Sequence, residues 1–371
     1  MEQFNKKDDM LFQTAYKKSL WKKPNLQHLF FELTDKCNLR CRHCGSNCTG
    51  ERNTFLSLET IEKTMKSVSE RYPANRIMIN LTGGEPMLYP DIYDVIRMAR
   101  DFGFRAGMTS NGTLINYLAA HRLVEAGLDT IAISLDGIGK VHDSFRRTDG
   151  SYLSAVLGIN ALKHAGLEPE VITVIHKKNL FQLEEMYELL RNMDIYAWRV
   201  VNIEPIGRAS ANRDLLLDES ELRQLFDFIC EKRRLNDNTM SISYACSHFV
   251  TFEYEKEIRD FYFRCGAGTT VGSIMANGDI GACLDIVRKP ELIQGNVYQD
   301  DFVYIWENKF EVFRMDRSNQ CNLCKQCGYK NSKVSIMQRI RTTCLLMSMS
   351  ARQETILLLS HKATSKPRLT T

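Results

Sequence analysis

No stretch of this 371-residue chain approaches the unbroken apolar length that a membrane span requires. The opening residues, MEQFNKKDDM, lack the apolar run of a secretory signal, so the expected location is the cytoplasm. Disulfides are scarce in that compartment, and the twelve cysteines read instead as metal or redox ligands. Net charge is also scarce. The chain carries +4, but Asn331–Thr371 hold seven Lys or Arg against the single acid Glu354, which leaves −2 for everything before them. A nearly neutral body offers no basic face, so no nucleic-acid partner is expected, and no membrane partner either. After Tyr329 the chain lacks aromatics, glycine and aspartate altogether. The chain as a whole, with 44% hydrophobic and 25% charged residues, has globular composition and the length for a sizeable core plus a second unit.

What is present begins with Cys37, Cys41 and Cys44, spaced C-x3-C-x2-C directly after the apolar run Leu29–Leu33. Three thiolates in one tight loop can hold three corners of a [4Fe–4S] cluster and leave the fourth iron open. Structural zinc wants four ligands, usually from two knuckles. Here no second knuckle lies nearby, although Cys48 and His43 could complete such a set, so a zinc-stabilised binding module stays as an alternative.

From residue 26 to about 210 short apolar runs alternate with longer amphipathic stretches. The expected strands are Leu29–Leu33, Ile77–Leu81, Arg105–Thr109, Thr130–Leu135, Glu170–Ile175 and Trp198–Ile203. The expected helices include Ser57–Arg71, Ile92–Phe102, Ile115–Ala126, Tyr152–Ala165 and Leu180–Asn192. Right-handed strand–helix repeats of this kind build a parallel sheet that curls, with chemistry at the C-terminal ends of the strands. Polar or glycine-rich runs stand at those ends: Gly83-Gly84-Glu85-Pro86 after the second strand and Ser110-Asn111-Gly112 after the third. The fourth strand gives Ser134-Leu135-Asp136-Gly137 with His142 to Arg146 beyond, and the sixth gives Ile203 then Pro205-Ile206-Gly207-Arg208-Ala209. Each has a plain reading as well: a turn, a helix cap at Asp136 or Glu85, a surface histidine at His43, strand core at Ile203.

CNLRCRHC followed by GGEP, TSNG, SLDG and P-x-G-R-A resembles radical S-adenosylmethionine (SAM) enzymes. The resemblance implies an α/β fold, a partial (β/α)6 TIM-like barrel over 26–210. It implies Cys37, Cys41 and Cys44 as cluster ligands, and His43, Gly83, Gly84, Glu85, Ser110, Asn111, Ser134, Arg146 and Ile203 as contacts for SAM. A helical linker (211–240) would follow. Cys265, then Gly278-Asp279-Ile280-Gly281-Ala282-Cys283, resembles the SPASM extension, a smaller cysteine-rich α+β domain expected over 241–330. That resemblance implies auxiliary [4Fe–4S] clusters held by Cys265, Cys283, Cys321, Cys324 and Cys327, with Cys246 as a stand-in ligand. The usual continuation, C-x2-C-x5-C-x3-C, breaks after Cys327, and the surroundings of Cys344 do not match it.

The implied activity is reductive cleavage of SAM to methionine and a 5′-deoxyadenosyl radical, which abstracts hydrogen from a peptide or protein substrate. A reductant such as flavodoxin or ferredoxin is the implied second partner. Leu284 stands where the sulfatase-maturing branch usually has Asp, which speaks against formylglycine formation. About two dozen residues (1–25) precede the first strand, too few for the leader-binding domain of many peptide maturases. No residue is assigned a catalytic role. The non-catalytic alternative, an iron–sulfur electron carrier, explains the cysteines but not the motifs at successive strand ends. The composition change at 331–371 reads as a basic tail that is disordered or comes from a shifted reading frame. An intact-protein mass from the native cell equal to that of this chain would remove the frameshift reading.

Overall fold

The structure is a computed structural model that describes residues 6–235, 239–245, 254–261 and 263–315. Ten strands form one sheet: β1 His28–Glu32, β2 Met78–Thr82, β3 Arg105–Ser110, β4 Thr130–Ser134, β5 Glu170–Ile175, β6 Ala197–Asn202, β7 Ser241–Tyr244, β8 Val271–Ile274, β9 Asp279–Gly281 and β10 Gly295–Asn296. Their spatial order is β10-β9-β8-β1-β2-β3-β4-β5-β6-β7. Every neighbour from β8 across to β7 is parallel, while β9 and β10 form an antiparallel edge. Seven strands laid side by side in chain order, each with a helical return, curl one way. The expected partial barrel is present.

The strands are apolar because helices and the barrel interior cover both faces. Leu29, Phe31, Ile79, Leu81, Ile133, Val171 and Val200 are all buried. Helices cover the outside, and their starts are set by local chemistry. Ser57 caps helix Leu58–Arg71 by accepting from Thr60 N at 3.2 Å, and Asn116 caps Tyr117–Glu125 by accepting from Ala119 N at 2.9 Å. All six expected strands are found, within one residue at each end. Elements that were not anticipated include helix Lys6–Lys22, the short helix Lys140–Arg146, strand β7 and helix Phe302–Asn308.

The sheet extends beyond six strands in both directions. Helix Glu219–Leu235 leads into β7, which pairs with β6. On the other side β8 pairs with β1, so the C-terminal hairpin is continuous with the barrel sheet. Helix Phe302–Asn308 seals this junction. Phe302 and Trp306 are buried over Gly272 of β8, where an added Cβ would lie 3.1 Å from Phe302 and 3.3 Å from Trp306. The same helix meets the first barrel helix through Arg71–Glu307 (2.8 Å) and Ser67–Asp301 (2.6 Å). Among the described residues no helix is long and apolar enough to cross a membrane.

Trp306→Ala is expected to lower stability by about 3–5 kcal/mol, because the indole is fully buried and a cavity replaces it. Since Trp306 spans hairpin and barrel, a single denaturant transition should shift as a whole. A separate early transition would show that the hairpin unfolds independently.

Candidate functional site

The cysteine loop lies at the C-terminal end of β1 and is fixed largely by backbone contacts. Cys37, Cys41 and Cys48 are buried and, with Leu39 and the half-buried Cys44, form an apolar cluster distinct from the main core. Two strand ends grip the loop. After β2, Gly84 N donates to Thr34 O (2.6 Å) and Glu85 N to Lys36 O (2.9 Å). A Cβ on Gly84 would sit 2.1 Å from Lys36 O and 2.9 Å from Cys37 Cβ, so only glycine fits. After β6, Gly207 (φ +55) lies against the other end, where a Cβ would be 2.4 Å from both Cys44 O and Gly45 O. Arg208 then threads the loop: its N donates to Cys44 O (3.0 Å), its Nε to Cys41 O (2.7 Å) and its Nη1 to Cys48 O (2.9 Å). Asn212 Nδ2 donates to Arg42 O at 3.0 Å.

Buried polar groups line the neighbouring strand ends. The Glu85 carboxylate accepts from Ser110 Oγ (2.7 Å), Asn111 N (2.8 Å) and Met87 N (3.2 Å), so it caps its own turn and ties β2 to β3. Burial pushes its pKa up, and those three donors oppose the shift. Asn111 Nδ2 reaches Asn38 Oδ1 inside the cysteine loop at 2.9 Å. Asp136, past β4, does not cap the following helix, which starts at Gly139 without a side-chain cap. It pairs instead with Arg146 at 2.5 Å, and Arg146 Nη1 lies 3.6 Å from Cys41 Sγ. A second Asp136 oxygen accepts from Val174 N at 2.8 Å, which locks the pair to β5.

Aromatic rings complete the surround. His43 stacks on Phe145 at 4.5 Å and 3°, and Phe145 stacks on His176 at 4.0 Å. Burial, then the nearby Arg146, holds His43 well below the usual histidine range, so its ring is neutral. His43 is therefore packed rather than a free surface ring. Ile203 belongs with Phe145, Ala209 and Leu215 to a small apolar cluster beside this stack. Ser134 closes β4, half-buried, and Gly83 (φ +156) opens the turn that Gly84 continues.

The thiols differ in charge tendency. Burial pushes Cys37 up to about 12 and Cys41 upward too, with Arg146 opposing at Cys41. Cys44 is drawn below the usual thiol range, first because the Cys48 thiol donates to it and further by Arg208, while Cys48 is pushed up. Among the described residues no three His, Cys, Asp or Glu side chains are grouped to hold one metal ion. A single zinc needs every sulfur about 2.3 Å from one point. A four-iron cluster places each of three cysteines on a different iron, and Cys37, Cys41 and Cys44, in a backbone-fixed loop that also buries Cys48, fit that donor set.

Of the C-terminal cysteines, Cys265 precedes β8 and Cys283 follows β9, so both stand at the open end of the hairpin, half-buried against the main core. Cys246, Cys321, Cys324 and Cys327 lie outside the described residues. Sequence reasoning passed over Asn38, Phe145 and Asn212, and gave Arg208 no role. It also passed over Glu32, which is buried at the end of β1. A charge inside the apolar run HLFFEL was the signal for Glu32; the others had none, because their partners are far away in sequence.

Comparison with known proteins agrees with this arrangement. Residues 31–190 match the radical SAM superfamily, and residues 265–328 match SPASM, an iron–sulfur cluster-binding domain. An AdoMet-dependent heme synthase of Nitratidesulfovibrio vulgaris is 28% identical over 325 residues, 82% of this chain and 86% of that protein. The mycofactocin maturase MftC of Mycobacterium tuberculosis is 29% identical over 312 residues, 82% of this chain and 76% of its own length. Streptococcus suis SuiB shares the fold. Its crystal structure with S-adenosylmethionine superposes with a TM-score of 0.69 at 18% identity, covering 87% of this chain and 75% of SuiB. Its complex with the precursor peptide SuiA gives 0.67 at 17%, covering 87% and 74%.

Gly84→Ala is expected to lower stability by about 1–3 kcal/mol and to reduce iron binding, since the methyl meets backbone that cannot swing away. Gly50→Ala, whose Cβ would lie 3.4 Å from Cys37 O, should be near neutral in both assays. The raised Cys37 pKa adds stability to the metal-free fold below the unfolded thiol value of about 8.5, and this is lost as pH rises toward the folded value. The alkaline loss should be smaller in Cys37→Ala, read from denaturant midpoints across pH.

Proposed function

We propose that this chain, an enzyme of the radical SAM superfamily with a SPASM domain, modifies a peptide or protein by abstracting hydrogen from an unreactive C–H bond. Cys37, Cys41 and Cys44 would hold a [4Fe–4S] cluster, and the strand ends around them would bind SAM. Once reduced, that pair of cofactors supplies a 5′-deoxyadenosyl radical and methionine. The chain's own work is positioning. Gly84, Gly207 and Arg208 fix the thiols before any metal arrives. Arg146, neutralised on one side by Asp136, presents a cation to the Cys41 sulfur and favours its thiolate. Metal loading releases the protons that burial keeps on Cys37 and Cys41. His43 and Ile203 offer a flat ring and an apolar surface suited to an adenine, and Ser110, Asn111 and Ser134 line the adjoining strand ends. Cys265 and Cys283, with Cys246, Cys321, Cys324 and Cys327, are the proposed ligands of the auxiliary clusters.

One observation carries the peptide reading. A groove of about 880 Å³ runs beside the cysteine loop, between the end of β1 and the hairpin, and charges of both signs line it: Asp35, Arg52, Asp279, Arg288 and Asp300. Such a wall suits an extended polar chain better than a flat apolar macrocycle. Similarity to MftC, a maturase, supports the same reading. A second reading, radical chemistry on a haem precursor, is favoured by the 28% identity with a heme synthase across both domains.

Anaerobic reconstitution with iron and sulfide, then dithionite and SAM, should yield 5′-deoxyadenosine, and Cys41→Ala should abolish it. No product from either protein would overturn the enzymatic reading. A mass change in a short peptide encoded beside this gene, with none in an iron porphyrin, decides for the peptide substrate; the reverse pattern decides for the haem precursor.

A further inference from the structure

Glu32 is a carboxylate buried at the end of β1, 1% exposed, with no charged partner on its own strand or on β2. Its partner comes from the far end of the described chain. Arg288, seven residues past the hairpin strand β9, donates from Nη2 to Glu32 Oε1 at 2.6 Å. The same Nη2 donates to Ser46 Oγ at 2.6 Å, and Ser46 is two residues beyond Cys44. Glu32 is oriented in turn, since its Oε2 accepts from Ala276 N at 3.3 Å. The Arg288 side chain is 30% exposed and forms part of the groove wall, so it bridges three places: the groove, the first strand and the exit of the cysteine loop.

The other grips on the loop come from the barrel's own strand ends. Among the described residues, Arg288 reaches it from the C-terminal unit, and it acts beyond Cys44, where the loop is otherwise held by Arg208. Its guanidinium charge is thus held one hydrogen bond from Ser46, two residues past Cys44. We propose that Arg288 is a positioning residue, oriented by Glu32, that latches the C-terminal unit to the exit of the cysteine loop and sets the electrostatic surroundings of whatever Cys44 binds. This rests on the proposed cluster at Cys37, Cys41 and Cys44, but the first of the tests below does not.

Removing Arg288 alone would strand the buried Glu32 charge and could unfold the protein. The informative variant is therefore the double substitution Glu32→Gln/Arg288→Met, which removes the pair and keeps a side-chain oxygen for Ala276 N. In metal-free protein, iodoacetamide should modify Cys44 and Cys48 about tenfold faster in the double variant than in wild type, read by peptide mass. In cluster-loaded protein the midpoint potential should be more negative in the double variant than in Glu32→Gln alone, because those two proteins differ only by the Arg288 cation, which favours the reduced cluster. Arg288→Lys keeps the charge but not the planar fork. It should hold the potential near wild type and give an intermediate alkylation rate. A folded double variant with wild-type alkylation and the same potential as Glu32→Gln overturns the proposal and leaves the pair a plain structural contact. Should wild-type protein load no cluster, the functional reading above falls, while the alkylation comparison still decides whether Arg288 holds the loop.

Discussion

Close backbone contact between the cysteine loop and the strand ends that flank it is the constraint on which the site depends. At Gly84 and Gly207 there is no space for even a methyl group. The first fixes the loop where it leaves β1, near Lys36 and Cys37, and the second fixes it at Cys44 and Gly45. Since the two glycines sit on β2 and β6 connections, the curvature of the sheet sets the separation of the loop's two ends. Side chains then complete what backbone began: Arg208 at Cys41 and Cys48, Asn111 at Asn38, Arg146 at Cys41. A site assembled this way keeps its thiols in place by packing and backbone hydrogen bonds, which is the condition for precise ligand geometry.

Charge is distributed along the strands with the same logic. Their middles are mostly apolar, with Asn80, Thr173 and Arg199 as exceptions, whereas Glu32, Glu85, Asp136 and Arg146 are buried close to their C-terminal ends. None of these is left to burial alone. Glu85 takes three donors, Asp136 and Arg146 take each other, and Glu32 takes Arg288. Buried ionic groups of this kind contribute little net stability, so their gathering at one end of the strands is the pattern expected of a functional site. The neutral histidines belong to the same zone: His142 and His176 each use Nδ1 to accept from backbone, at Asp136 N and Lys178 N.

The barrel was legible because periodicity and punctuation agree. Six apolar runs, each bounded by a polar turn, identified six strands to within a residue, and the helix expected from Ser57 begins at that residue's cap, whereas the one expected from Ile115 begins after the Asn116 cap. The motif residues were legible as positions, yet their local duties were not. The Gly-Gly pair read as a place for a ligand to approach, while in the fold Gly84 accommodates the cysteine loop itself. Asp136 read as a cap and is a counter-ion; His43 read as a surface or stacking ring and lies against Phe145. These duties depend on partners from distant parts of the chain, and no local pattern encodes such pairings. The seventh strand and the junction of β8 with β1 escaped for the same reason: Ser241–Tyr244 and Val271–Ile274 are four-residue segments whose strand character comes from the neighbour they meet.

The placement of β1 has a consequence for biosynthesis. Its two neighbours, β2 and β8, are separated by nearly two hundred residues of chain, so a ribosome finishes the whole barrel wall before β8 emerges. Through that interval one border of β1, including Leu29 and Phe31, has its hydrogen-bonding groups open to other nascent chains. Vectorial synthesis thus leaves the protein vulnerable until its last third is made, and delayed elongation or truncation before Val271 should favour aggregation over a half-built enzyme.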